Sequence, residues 1–304
     1  MQNASQYISP LTGGDNVRLI RTISASEIRS LWLKHLTIDL TPEMFSAPEV
    51  HLLECVETGF RFFTPPEAAG SSQLYARLMQ FPWYYEPDRW EYELCEQLPR
   101  HEDKILEVGC GDGAFLRRLE KQGFTNIRGL EINQDSIMAA LATGLRVSSD
   151  SLADLATSES CQFDWIFAFQ VLEHVPDPGQ FLTELIQLTR PEGRIVFSVP
   201  NNESFIALDP LAPLNMPPHH MGLWTPKVAS RLTSYFPVRQ VDVDRAPLEA
   251  QHARWYCYNR LRATGFPKPL PFLLALVGSF PLRINSQLRN SIHGHSMLVT
   301  LTVK

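Results

Sequence analysis

The chain has little cysteine and none of it in pairs: Cys55, Cys95, Cys110, Cys161 and Cys257 lie scattered through 304 residues. An odd, unpaired set excludes a disulfide framework and fits a reducing compartment. Long apolar runs are also missing. The longest, Leu270 to Leu282, is broken by Pro271 and Pro281 and falls well short of the roughly 18 residues that a spanning helix needs. Met1 to Gln6 is polar and has no signal-like apolar core. No block of like charge stands out from a formal net charge of −6 and a pI near 5.9. That disfavours a nucleic-acid partner, because phosphate binding needs a basic stripe. With no internal repeat and no low-complexity tract, the expectation is a soluble, cytoplasmic protein with a full core.

What the chain does have is concentrated at Lys104 to Gly113, K-I-L-E-V-G-C-G-D-G. A short apolar run stops at Gly109, Gly111 and Gly113 follow, and Ala114, Phe115, Leu116 and Leu119 begin a helical rhythm. This predicts a buried strand, a tight glycine turn and a helix start. The same letters read as G-x-G-x-x-A with Glu131 about twenty residues on, the outline of a dinucleotide site. Charge separates the readings: a pyrophosphate wants a bare helix N-terminus, whereas Asp112 sits there and Glu107 ends the strand. Two carboxylates suit a ligand with a sulfonium and an ammonium, so the loop is assigned to S-adenosylmethionine.

Residues 1–100 form a first region of mixed character. Ser24 to Leu36 has helical spacing, Phe60 to Phe63 is strand-like, and Phe81 to Tyr85 leads into a helix Asp88 to Leu98, with Asp88 as cap and Trp90, Leu94 and Leu98 on one side. Ser9-Pro-Leu-Thr-Gly13 and Cys55-Val-Glu-Thr-Gly59 each have the outline of C-x-x-C-G, with three of four cysteines absent. Hydroxyls are poor zinc ligands, so no metal is expected there. From 101 to 304 strands and helices alternate, with Pro191 to Arg194 as a turn before a strand Ile195–Val199. The rhythm implies right-handed crossovers and an α/β, doubly wound, mostly parallel sheet. A lid-like insert spans about 248–293 before the last strand. Within it, 270–280 is expected as a helix or tight turn outside the sheet, over the cleft or in peripheral contact with a membrane.

E-V-G-C-G-D-G, G-L-E-I-N, F-D-W-I-F-A-F-Q-V-L-E-H-V-P-D-P and R-P-E-G-R-I-V-F-S-V-P-N-N together resemble the class I S-adenosylmethionine-dependent methyltransferases, closest to the small-molecule group that includes ubiquinone-biosynthesis methyltransferases. The resemblance implies a seven-stranded sheet. It implies that Gly109, Gly111 and Gly113 hold the methionyl part of the cofactor, with Glu107 beneath. Glu131, followed by Ile132, would take both ribose hydroxyls, Asp150 and Ser151 would hold the adenine, and Gln170 would face the cofactor across the cleft. The frames at Ser9 and Cys55 resemble the remnant of a two-knuckle zinc segment found in some relatives.

Transfer to a hydroxyl needs alignment and proton removal, and histidine is the natural base. His174, in Glu173-His174, and His219 and His220, in P-P-H-H-M-G-L-W, are the candidates. Glu173, His174 and His219 are also types that gather a divalent ion, at a spacing that is not diagnostic, and no metal is assigned. The expected activity is methyl transfer to a hydroxyl of a small-molecule acceptor, with sugars or glycan precursors suggested only by the zinc-knuckle relatives. C-methylation, an NAD-linked enzyme and a non-catalytic cofactor-binding module are the alternatives.

Overall fold

A computed structural model describes residues 7–43, 48–81, 84, 88–267 and 269–304. The N-terminal hexapeptide and most of the aromatic stretch 81–85 lie outside them. The strands in chain order are β1 (Val17–Ser24), β2 (Glu49–Cys55), β3 (Arg61–Thr64), β4 (Ile105–Val108), β5 (Ile127–Leu130), β6 (Val147–Ser148), β7 (Phe163–Phe169), β8 (Thr189–Pro200), β9 (Gly222–Leu223), β10 (Val238–Pro247) and β11 (His293–Val303).

Seven of them form one sheet in the order β10-β11-β8-β7-β4-β5-β6. β6, β5, β4, β7 and β8 run parallel, and β11 is antiparallel to both β8 and β10. This is the seven-stranded, mostly parallel sheet expected of the class I methyltransferase fold. Its central strands are apolar because helices cover both faces. On one face Phe115, from the helix Ala114–Lys121, lies 5.0 Å from both Phe167 and Phe169. On the other, Leu182 and Leu185 of the helix Pro178–Leu188 are fully buried.

Two local expectations change. The turn Pro191–Arg194 is absorbed into β8, with Glu192 at φ +66° and an irregular register against β7. The helix after the aromatic stretch is shorter, Trp90–Cys95, and Arg89 stands at its cap. Asp88 pairs instead with Arg118 at 3.1 Å. Leu94 and Leu98 are exposed, and the buried face is Glu91, Tyr92 and Cys95. A carboxyl on the inner face inverted the apolar pattern, for a reason given below.

The N-terminal region builds a second sheet, β1-β2-β3-β9. Its fourth strand comes from beyond residue 200, so the chain crosses between the two sheets three times. Trp224, fully buried just after β9, fills the join. Its ring centroid lies 5.0 Å from Phe60 and 5.7 Å from Phe197 of β8. The helix Ala25–Leu36 is capped by Ser24, which accepts from the Glu27 amide, and buries Trp32 completely. The insert carries the helices Ala253–Ala263, Leu270–Gly278, Phe280–Ile284 and Ser286–Asn290. No helix among the described residues is long and apolar enough to cross a membrane.

Since Trp224 belongs to both cores, Trp224→Ala should cost about 3–5 kcal/mol and leave one cooperative unfolding transition. Urea titrations followed by fluorescence and far-UV circular dichroism check this. Two separated transitions in the wild-type chain would show that the sheets fold independently.

Candidate active site

The glycine turn leaves β4 through three residues with positive φ: Gly109 at +72°, Gly111 at +54° and Gly113 at +84°. A Cβ on Gly109 would stand 2.6 Å from Val171 Cγ2, and one on Gly113 2.4 Å from Leu145 Cδ1. Backbone conformation favours glycine at all three positions, and packing adds to it at Gly109 and Gly113. Glu131, just past β5, clamps the loop. Its Oε2 accepts from the Gly111 amide, and its Oε1 accepts from the Ile132 and Asn133 amides, each at 2.8 Å. A carboxylate offers about four acceptor positions, so one remains on the cleft side. Holding both ribose hydroxyls, as the sequence implies, requires the carboxylate to release one amide.

Under the loop, Glu107 is buried in β4, and its Oε2 has no hydrogen-bond partner. Burial, outweighing the nearby Arg89 guanidinium and reinforced by the charges of Glu131 and Asp112, holds this carboxyl well above the usual carboxylate range. An orphaned buried carboxyl calls for a cationic partner, and the ammonium of S-adenosylmethionine fits that demand. Asp112, counted as free negative charge from the sequence, is paired with Arg117 at 2.9 Å.

The other assigned residues are more constrained than expected. Ser151 caps the helix Leu152–Ser158, and Asp150 is held by Arg128 at 2.7 Å. Ile132 presents an open apolar face between them and Glu131, being 74% exposed. Gln170 sits in the left-handed region, at φ +55°. Its Nε2 donates to Ser198 Oγ of β8 and Ser296 Oγ of β11, both at 3.1 Å, so the amide nitrogen turns toward those strands and not toward the glycine loop.

His174, His219 and His220 are brought together from positions 45 residues apart. Their ring centroids are 4.6 Å (174–219), 5.1 Å (174–220) and 4.4 Å (219–220) from one another. The backbone carbonyl of Glu173 accepts from the Met221 and Gly222 amides, which fastens the proline-led loop to the end of β7. Burial pushes His174 down to about 4 and the other two well below the usual imidazole range, and it raises the Glu173 carboxyl to about 8.

Two groups escaped sequence reasoning. Glu91, from the helix whose pattern misled, accepts from Ser198 Oγ at 3.0 Å and so joins the Gln170 network. Glu249 Oε2 lies 2.8 Å from His252 Nδ1, and the His295 ring lies 4.4 Å from His252. His295 is beside the cleft end of β8, since its carbonyl accepts from the Asn201 amide. His252 lies in the insert and His295 in β11, and no spacing along the chain signalled this second cluster.

Comparison with known proteins follows the same lines. Residues 83–255, more than half of the chain, match the family described as a methyltransferase domain. The ubiquinone biosynthesis O-methyltransferase of Salmonella paratyphi A is 31% identical over 104 residues, covering 32% of this chain and 43% of that protein. The one from Neisseria meningitidis serogroup A is 30% identical over 105 residues, covering 32% and 44%. The chain thus matches less than half the length of these curated relatives. A solved S-adenosylmethionine-dependent methyltransferase from Archaeoglobus fulgidus superposes with a TM-score of 0.47 at 19% identity, over 77% of this chain and 95% of that one. With the family match spanning the glycine loop, Glu131 and the His174 region, the chain belongs to the methyltransferase-domain family, with S-adenosylmethionine as its cofactor.

Proposed function

We propose that this protein transfers a methyl group to a hydroxyl of a small-molecule acceptor in the cytoplasm. The observation that carries the reading is the orphaned Glu107 carboxyl beneath a glycine loop clamped by Glu131. S-adenosylmethionine supplies the activated methyl when bound. Glu107 takes the ammonium, Glu131 the ribose, and Ile132 with Asp150 and Ser151 borders the adenine. Gly109, Gly111 and Gly113 shape the backbone around the methionyl part, and Gln170 fixes the opposite wall through the two serines. The acceptor hydroxyl is placed beside the cluster of His174, His219 and His220, at the end of β7. The relatives named as O-methyltransferases support an oxygen acceptor, a class that includes glycan precursors.

Two further elements belong to this reading. Ser9, Thr12 and Thr58 surround the Cys55 thiol. Burial would raise that thiol, but hydrogen bonds from Thr58, Ser9 and Thr12 prevail and lower it. This geometry supports a metal-free remnant of a two-knuckle segment. The insert faces an anionic membrane surface: residues 250–304 carry seven Lys and Arg and no Asp or Glu, in a chain of net charge −6. Phe272, Leu273, Val277, Phe280 and Ile284 are exposed on the helices there. A cavity of about 620 Å³, lined in part by Arg254, Trp255, Tyr258 and Phe272, opens beside them. Its wall residue Trp255 reaches Phe205, 4.8 Å away, on the cleft side.

The direct test is methyl transfer from labelled cofactor across hydroxyl acceptors, with Glu131→Ala as the binding control. Loss of charge-assisted hydrogen bonds of roughly 1.5–3 kcal/mol weakens S-adenosylhomocysteine about ten- to a hundred-fold. Unchanged affinity in that variant would sink the ribose assignment.

Glu107 gives a pH signature. Its folded-state carboxyl is raised by burial, and pairing with the ammonium favours the ionised form. Binding should release protons at pH values below the raised value, and affinity should climb as pH rises toward it. Calorimetry in buffers of different ionisation enthalpy reads the proton count, and Glu107→Gln should abolish it. The same heat in every buffer contradicts the assignment.

On the membrane side, the wild-type chain should sediment with vesicles containing phosphatidylglycerol and be released by salt. Phe272→Asp with Val277→Asp should weaken that association by about tenfold or more. A wild-type chain that stays in the supernatant means the surface is not a lipid contact.

A further inference from the structure

The three clustered imidazoles share a feature that a packed core does not need. Each has its Nδ1 against an oxygen acceptor. His174 Nδ1 is 2.6 Å from the His219 carbonyl, and His219 Nδ1 is 2.9 Å from the Leu214 carbonyl. A carbonyl only accepts, so both Nδ1 atoms carry the proton. His220 Nδ1 lies 3.2 Å from Asn215 Oδ1. The amide orientation there is fixed in turn. Asn202 Nδ2 donates to the Pro200 carbonyl, which leaves Asn202 Oδ1 to accept from Asn215 Nδ2 at 2.8 Å. Asn215 must therefore present its oxygen to His220. In all three rings the lone pair is left on Nε2.

Holding Nδ1–H on an oxygen is how proteins prepare imidazole as a metal ligand. One ring nitrogen from each of the three residues lies within 4.8 Å of the others. A fourth donor stands beside them: Glu173 Oε1 is 3.8 Å from His174 Nε2, and Glu173 Oε2, fully buried, has no hydrogen-bond partner. Tyr84 Oη, 3.0 Å from His219 Nε2, donates to the lone pair that the ion would take.

We propose that His174, His219 and His220 bind one divalent transition-metal ion of the zinc class through Nε2, with the Glu173 carboxylate as fourth ligand. Imidazole nitrogen with one carboxylate suits zinc, at about 2.0–2.2 Å from each donor. Such spacing draws the nitrogens to within about 3.4 Å of one another, so rings whose nitrogens lie within 4.8 Å must close further on the ion. The ion would fasten the 216–221 loop to the end of β7, and it lies among Tyr75, Tyr84 and Trp32 of the N-terminal region. The second cluster, Glu249, His252 and His295, offers fewer ligands, since Glu249 is engaged by His252 Nδ1 and only two histidines are left. Cys55 has only hydroxyls around it.

The test uses tag-free, full-length protein, stripped with chelator and titrated with zinc or cobalt(II). Elemental analysis should give one equivalent of zinc per chain, and the cobalt form should show the visible d–d bands of a tetrahedral site. Zinc should raise the thermal midpoint of the stripped protein. His220→Ala should lose the ion, weakening it by more than about a hundredfold. Asn215→Ala leaves every ligand in place and removes only the acceptor behind His220, so it should weaken the ion by about ten- to a hundred-fold. That variant serves if His220→Ala fails to fold. Cys55→Ser and His252→Ala should keep the full equivalent. A wild-type chain that takes up neither metal overturns the proposal. So does metal that survives in both His220→Ala and Asn215→Ala, or that disappears with Cys55→Ser or His252→Ala.

Discussion

The Glu131 carboxylate is the fastening on which the cofactor side depends. β4 and β5 are neighbours in the sheet, and the loop after β4 turns through three left-handed glycines that lack side chains to anchor it. Glu131, at the end of β5, supplies that anchor by accepting the Gly111 amide while its other oxygen closes the start of the next helix. The loop is thereby set before any ligand arrives, and the cost of ordering it is met in folding and not in binding.

A second constraint follows from the buried sheet. Glu91, Glu107 and Glu173 are all buried near the cleft ends of β4, β7 and β8. Burial raises the carboxyl of each. A fold gains nothing from such groups in an apolar core, and two of them keep an unpartnered oxygen. Their placement makes sense where cationic ligands are expected. Glu91 shows how this alters local structure. It sits on the inner face of its helix, where its oxygen meets Ser198, while Leu94 and Leu98 are left outside.

That inversion marks the boundary of what the sequence discloses. The glycine turn, the β–α alternation and the placement of Glu131 at the end of β5 were readable because each rests on short-range signals: a strand, its turn, and a carboxylate one strand away. The cap at Asp88 failed because the helix begins at Trp90, which puts Arg89 at the cap position, while Asp88 pairs with Arg118. The turn at Pro191 failed because β7 continues to pair across it. His174, His219 and His220 were legible as residue types, but their convergence depends on the Glu173 carbonyl holding the distant loop. Glu249, His252 and His295 meet only through the pairing of β10 with β11, and no spacing along the chain announces them.

Charge is divided within the molecule in a way that its total conceals. Carboxyls gather at the cleft, and the last 55 residues hold only basic side chains among those with a formal charge. The two fields act on different molecules. Of the acids at the cleft, Asp112 is paired with Arg117, which leaves Glu107 and Glu131 to meet a cationic ligand. The basic insert, with Trp255 as its inner wall, attracts acidic surfaces or acceptors and would repel the cofactor.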